Sequence, residues 1–232
     1  VLTQAEKMGG RWDLDEFFAT GVRDIDAVMA SLSALKIEPE RTRALDFGCA
    51  VGRLTQALAP RFDAVVGVDI APSMLEQAER LNRFGERVRY VHNGAADLAI
   101  FPDAHFSFVL TLITLQHVAP RYSRRYLEEF LRVLQPGGVL VFQLPSHPTA
   151  GHRLRTALKG VVPNALLTAY RRARYGAVHA ADPGHGRGME MYGIPRDEVA
   201  ALLEKAGGRV VDTAPDRHAG NWHSFRYVVV KR

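Results

Sequence analysis

The chain has 232 residues, of which 47% are hydrophobic and 24% charged, with a formal net charge of +5. This is the make-up of one large globular domain with a well-buried core, and it excludes a disordered or disulfide-rich chain. No apolar run approaches the ~18 residues of a membrane span, the first residues lack a secretion-signal pattern, and the single Cys49 permits no internal disulfide. A cytoplasmic protein, monomer or homodimer, is the expectation.

In chain order, residues 1–20 read as irregular, with Trp12, Phe17 and Phe18 prominent. A helix is predicted from about Gly21 to Leu35, with Val22, Ile25, Val28, Met29 and Leu32 on one stripe. A strand from Thr42 to Phe47 ends in a tight turn, and a helix runs from Gly52 to about Leu58. The second strand, Ala64 to Val68, ends in Asp69. Pro72 opens a helix with Met74, Leu75, Ala78 and Leu81 inward. Strands follow at 88–92 and 106–112, then a helix over 123–134 that stops before Pro136-Gly137-Gly138, and a fifth strand over 139–144.

The alternation then breaks. Residues 145–192 are too long for a plain loop and read as a cap. Their charge is uneven: Arg153, Arg155, Lys159, Arg171, Arg172, Arg174 and Arg187 face only Asp182 and Glu190. An anionic substrate, a nucleic acid or membrane surface, and a solvated helix face all fit that excess. A helix over 195–206 and two last strands, one at Val210-Val211 and one over 225–230, close the chain.

The chemistry concentrates in Leu45-Asp46-Phe47-Gly48-Cys49-Ala50-Val51-Gly52-Arg53. Strand, glycine turn, helix, strand and terminal acid form the layout of a nucleoside-binding βαβ unit, with Asp69 placed to take ribose hydroxyls. A dinucleotide turn would read G-x-G-x-x-G and hold a pyrophosphate. Here Asp46 sits in the turn, where a carboxylate repels pyrophosphate but suits a ligand carrying an ammonium group. That argues against an NAD-dependent oxidoreductase. Cys49 reads as a small apolar residue rather than a nucleophile.

With these residues, and with Val65-Val66-Gly67-Val68-Asp69-Ile70-Ala71-Pro72-Ser73-Met74-Leu75, Asp97-Leu98, Phe106-Ser107-Phe108-Val109-Leu110 and Glu129 to Leu140, the chain resembles the class I S-adenosylmethionine-dependent methyltransferases over residues 42–144, in particular the type-11 small-molecule enzymes. Two positions depart from that pattern: Ala50 stands for a glycine, and Ser107 for an acid. The resemblance implies one α/β domain over 1–232, a Rossmann-like doubly wound seven-stranded sheet with its last strand antiparallel. It also implies a helical cover over 1–40 and a cap insertion over 145–192.

By the same resemblance S-adenosyl-L-methionine is the cofactor and S-adenosyl-L-homocysteine the product. Asp46 holds the methionine amino group, Gly48 and Cys49 pack on the cofactor, Asp69 takes the ribose and Ile70 the adenine. Gly52, Arg53 and Leu112 join that set. The segment Asn93 to Asp97 aligns in two ways; Asp97, flanked by Ala96 and Leu98, is favoured as the adenine-side acid. Arg53 is either a surface residue or a partner of the cofactor carboxylate.

Open-sheet ligands sit at the carboxyl ends of the strands. This directs His117, His147, His218, Trp222 and His223 to the acceptor side. An oxygen acceptor needs a base, and histidine suits the task, with His117 ranked first and His223 second. His117 also reads as the simple close of a helix start. His152 and Tyr192 are candidates for substrate contact. His179, Asp182 and His185 have metal-ligand types, but Pro183-Gly184 breaks the helix that would align them, so no metal is expected. The expected activity is methyl transfer to a small molecule, with nucleic acid disfavoured as acceptor. An amine, RNA or protein acceptor, or a cofactor-binding regulator without catalysis, are the alternatives.

Overall fold

A computed structural model describes residues 13–151 and 190–232 of the chain. The first helix, α1 (Leu14–Ala34), starts well before Gly21 because Asp13 caps it: the carboxylate accepts from the N–H groups of Asp15 and Glu16, each at 3.0 Å. Phe17 and Phe18 are therefore helical, not irregular. Val22, expected on the inward stripe, is exposed, and Gly21 faces inward instead. A Cβ on Gly21 would lie 2.3 Å from the Arg53 carbonyl oxygen, so the missing side chain is what lets α1 approach so closely.

The remaining elements follow the expected alternation. They are β1 (Arg43–Phe47), α2 (Arg53–Leu58), β2 (Ala64–Asp69), α3 (Pro72–Arg80), β3 (Val88–His92), β4 (Phe106–Thr111), α4 (Pro120–Val133), β5 (Leu134–Pro148), α5 (Arg196–Lys205), β6 (Gly208–Asp216) and β7 (Trp222–Lys231). Single 3-10 turns lie at Gly85–Arg87 and Leu115–His117. The sheet order is β3-β2-β1-β4-β5-β7-β6. The first five strands run parallel, and β7 is antiparallel to both β5 and β6.

β5, β6 and β7 are all longer than the periodicity suggested. Pro136-Gly137-Gly138 is not a gap between helix and strand. Phe106 pairs with Leu134 and Phe108 with Val139, so residues 135–138 loop out as a bulge, with Gly137 at φ +76°. Ser107, where the family usually has an acid, lies opposite this bulge. Its hydroxyl donates to the Arg43 carbonyl at 3.0 Å and stitches β4 to β1.

Side chains alternate across the sheet and build two cores. Leu45, Phe47, Val109, Leu140 and Phe142 pack with α4 and α5. Ala44, Phe108, Leu110, Val139 and Val141 pack with α1 and α2. Asp46 shares a face with Ala44 and so points toward α2. Three ion pairs fasten α1 over that face: Asp24 with Arg53, Asp26 with Arg61, and Asp15 with Arg83.

Ala50 occupies the left-handed region at φ +46°, where a Cβ is strained by about 1–2 kcal/mol. Ala50→Gly relieves that strain and loses part of the gain to the more flexible unfolded chain. The expected outcome is a stabilisation of about 0.5–1 kcal/mol, read as a rise of roughly 1–4 °C in thermal midpoint.

Candidate active site

The strand order reverses between β1 and β4, and the crevice of an open α/β sheet lies at that point. A two-lobed cleft is found there. One lobe, of about 350 Å³, is lined by residues that include Asp69, Ile70, Asn93 to Ala96, Tyr122 and Tyr126. The other, of about 340 Å³, is lined by residues that include Phe17, Asp46, Cys49, Arg53, Met74, Leu112 and His117. Each lobe alone reaches the lower size of small-molecule sites, ~300 Å³. Gly48 and Thr114 border both lobes. A Cβ on Gly48 would lie 2.3 Å from the Thr114 side chain, so the glycine is what lets Thr114 pack against the turn between the two lobes.

The turn is built from backbone. The N–H groups of Gly48 and Cys49 both donate to the Val68 carbonyl, at 2.8 and 3.0 Å. One Asp69 oxygen accepts from the Ala50 N–H at 2.8 Å and the other from the Ala71 N–H at 2.9 Å. Asp69 thus holds two turns and still faces the first lobe with lone pairs to spare. Ile70 is 70% exposed at its lip, an apolar surface open to a flat ligand. Gly52 caps α2 at φ +82°, where a Cβ would meet the Tyr90 hydroxyl at 2.0 Å.

Asp46 is 1% exposed and accepts a 2.6 Å hydrogen bond from Thr55 Oγ1. Burial pushes its carboxyl up to about 6, and the Thr55 bond offsets only part of that. Burial likewise raises the Cys49 thiol, which disfavours the thiolate. Arg53 lines the second lobe, but its guanidinium pairs with Asp24 at 2.5 Å and with Thr20 Oγ1 at 3.2 Å. It is not a surface residue, and both of these bonds use the same nitrogen, Nη1. Met74, expected in the helix core, lines the same lobe half-buried.

The adenine-side acid needs correction. Asn93 closes its own turn: Oδ1 accepts from the Ala95 N–H, and Nδ2 donates to the Asp97 carbonyl. Ala96 faces the cleft, whereas the Asp97 carboxylate turns away to Arg125 at 2.7 Å. Leu98 is fully buried in the core below. The lobe instead receives Asn93, Gly94 and Ala95, together with Tyr122 and Tyr126. The tyrosines' i, i+4 spacing early in α4 was the available signal; their closeness to residues 93–96 was not. Tyr126 secures it by donating to the Ala95 carbonyl at 2.7 Å.

Of the four ranked histidines, His117 alone lines the cleft. Its Nδ1 lies 3.1 Å from the Glu190 carbonyl and its Nε2 3.0 Å from Gln116 Nε2. His147 and His223 meet across β5 and β7 with ring centroids 4.7 Å apart, away from the described lobes. The hydrogen bond to Asp216 raises His218 above the ordinary imidazole value, and His218 does not line either lobe. Trp12, His152, His179, Asp182, His185 and nearly all of the basic cap fall outside the described residues.

A doubly wound sheet with a ribose-type acid and a second buried carboxylate on either side of a glycine pinch defines a nucleoside-binding α/β protein. Known proteins narrow that class. The family model described as a methyltransferase domain matches residues 45–142. A malonyl-[acyl-carrier protein] O-methyltransferase of Geobacter sulfurreducens is 31% identical over 208 residues, 88% of this chain and 68% of the relative. A demethylmenaquinone methyltransferase of Tropheryma whipplei (strain Twist) is 39% identical over 170 residues, 70% of this chain and 64% of the relative. The chain spans about half to two thirds of the length of the curated relatives it matches. Among solved structures, magnesium protoporphyrin IX methyltransferase from Synechocystis PCC 6803 with bound SAH superposes with a TM-score of 0.65 at 18% identity, covering 97% of this chain and 91% of that one. The chain belongs to the class I S-adenosylmethionine-dependent methyltransferases.

The raised Asp46 carboxyl has a signed effect on stability. Its contribution is fully present below the unfolded value of 3.8 and is lost as pH rises through about 6. Asp46→Asn should therefore stabilise the ligand-free protein at pH 8 by roughly 2–3 kcal/mol and leave it nearly unchanged at pH 4. Urea unfolding at the two pH values reads the difference.

Proposed function

We propose that this protein transfers a methyl group from S-adenosylmethionine to a hydroxyl of a small-molecule acceptor, with His117 taking the proton. The observation that carries this reading is the pinched cleft, with a buried carboxylate in one lobe, a ribose-type acid in the other, and the one cleft histidine beyond the pinch. Asp46 receives the ammonium of the amino-acid end, and ionises as it does so. Asp69 accepts from the ribose hydroxyls, while Ile70 and the 93–96 turn cover the base. A cofactor spanning both lobes would run along the Gly48 backbone, which borders each of them.

The cofactor supplies a methyl group already activated on a sulfonium. What remains for the chain is to hold the acceptor in line and to exclude water, which supplies much of the acceleration. An oxygen acceptor must also lose a proton. His117 lines the second lobe, and the Glu190 carbonyl orients its ring through Nδ1, an arrangement of base and orienting group found in acid–base sites. The name of the Geobacter relative specifies methylation on oxygen by that protein, which supports an oxygen acceptor here without bearing on the base. No metal takes part in the proposed step. An amine acceptor is the competing reading, since it needs to arrive neutral but requires no base.

Two measurements test the proposal. Calorimetry should show S-adenosylhomocysteine binding that weakens by about tenfold per pH unit below about 6, where Asp46 must ionise to bind. Asp46→Asn should bind more weakly at pH 8 and lose that dependence. Asp69→Ala should cost roughly 1.5–3 kcal/mol at any of these pH values. For the base, a panel of phenols, quinols and amines with S-adenosylmethionine should release S-adenosylhomocysteine only with oxygen acceptors. His117→Ala should then lower turnover by ~10²–10⁴ with cofactor affinity intact. Methylation of amines by an unimpaired His117→Ala variant would establish the competing reading.

A further inference from the structure

Three buried polar side chains lie behind His117, on the face of the sheet that carries α1 and α2. Gln143 on β5 is 0% exposed, Ser224 on β7 is 3% and Gln116 is 4%. Buried amides are costly unless each group is paired, and here the pairing runs in one direction. Its origin is a backbone group whose polarity is not open to choice. The N–H of Ile113 donates to Gln143 Oε1 at 3.1 Å. The other end of that amide must then be Nε2, which donates to Ser224 Oγ and to Gln116 Oε1, the latter at 3.3 Å. This orients Gln116 in turn, so its own Nε2 faces His117 Nε2 at 3.0 Å. An amide nitrogen only donates, so His117 Nε2 accepts. The ring proton therefore sits on Nδ1 and is donated to the Glu190 carbonyl, 3.1 Å away.

Ile113 is itself held at φ +66°, a left-handed conformation that a β-branched residue adopts only under constraint. The strained peptide aims its N–H into the sheet at Gln143. The same assembly anchors the segment where the chain rejoins the described fold: Tyr192 N–H donates to the Gln116 carbonyl at 2.8 Å, and Ile194 N–H to the Pro145 carbonyl at 3.0 Å.

We propose that Gln143 and Gln116 are positioning residues that relay the orientation of the Ile113 peptide to His117 and hold its ring as the Nδ1–H tautomer. Neither amide touches the cofactor or transfers a proton. Their effect is to leave the lone pair on Nε2 of a ring that lines the second lobe, while the Gln116 amide occupies that lone pair until an acceptor hydroxyl displaces it. The functional consequence rests on the base assignment made above; the tautomer itself does not.

The tautomer is measured directly. Long-range ¹H–¹⁵N spectra of the full chain, labelled on histidine nitrogen and without acceptor, should show His117 Nδ1 as pyrrole-type and Nε2 as pyridine-type. Gln116→Glu reverses the last link, because a carboxylate accepts from Gln143 at one oxygen and needs a proton from His117 Nε2 at the other. Both nitrogen signals should then be pyrrole-type, because the Glu190 carbonyl still requires a proton on Nδ1. Gln143→Leu, which removes the link to Ile113 without burying a charge, frees the Gln116 amide to turn its oxygen to His117, so Nε2 should gain partial pyrrole character while Nδ1 keeps its proton. S-adenosylhomocysteine affinity should stay within about twofold in both variants, since hydrogen-bonded contacts to the cofactor are untouched. A pyrrole-type Nε2 in the unaltered protein overturns the relay, and so does a Gln116→Glu spectrum unchanged from it. If the tautomer is as stated but His117→Ala keeps full turnover, the relay stands and the base assignment falls.

Discussion

The carboxyl end of β2 holds the turn that follows β1. Val68 accepts two successive N–H groups from that turn, and Asp69 accepts a third while securing its own chain at Ala71. With these donors satisfied, a backbone that includes a strained alanine keeps one shape. Both lobes depend on it, since Gly48 borders each and Asp46 and Cys49 hang from its two sides. The buried Asp46 carboxylate is held there by Thr55, and under the proposed function it awaits the positive charge of the cofactor. The cost to the free protein is the counterpart of the gain on binding.

The parts of this arrangement that rest on local spacing were readable in the sequence. The strand–turn–helix unit and the acid ending β2 follow from patterns within a few tens of residues, while the seven-stranded sheet came from the family resemblance. The failures were of two kinds. At the amino end, Asp13 is an ordinary cap and was legible, but the aromatic cluster after it obscured the helical period. At Asn93 to Asp97, composition offered two acid placements, and only the Asn93 turn decides which side chain faces the cleft. His147 and His223 were correctly sent to the same sheet end. Their mutual contact comes from antiparallel register, which no single-strand pattern contains.

The relay behind His117 belongs to a class that sequence alone hides. Gln116 and Gln143 are 27 residues apart, and Gln143 and Ser224 are 81 apart. Each reads locally as a polar residue in or near an apolar strand, a pattern more suggestive of an edge than of a core. Only the placement of β7 against β5 encloses them. Ile113 is equally unmarked, because nothing in a β-branched residue announces a left-handed backbone.

That placement also governs how the molecule is assembled in time. β7 lies between β5 and β6, so β5 has no strand partner on that side until residues 222–231 have been synthesised. Long-range antiparallel closure of this kind is slow, and an apolar open edge is a site for wrong pairing between chains. During that interval Gln143 has no Ser224 to receive its amide proton. The polar group that later orients the site then serves the nascent chain differently: it places a hydrated amide among Val141, Phe142 and Leu144, a break in an otherwise adhesive strand.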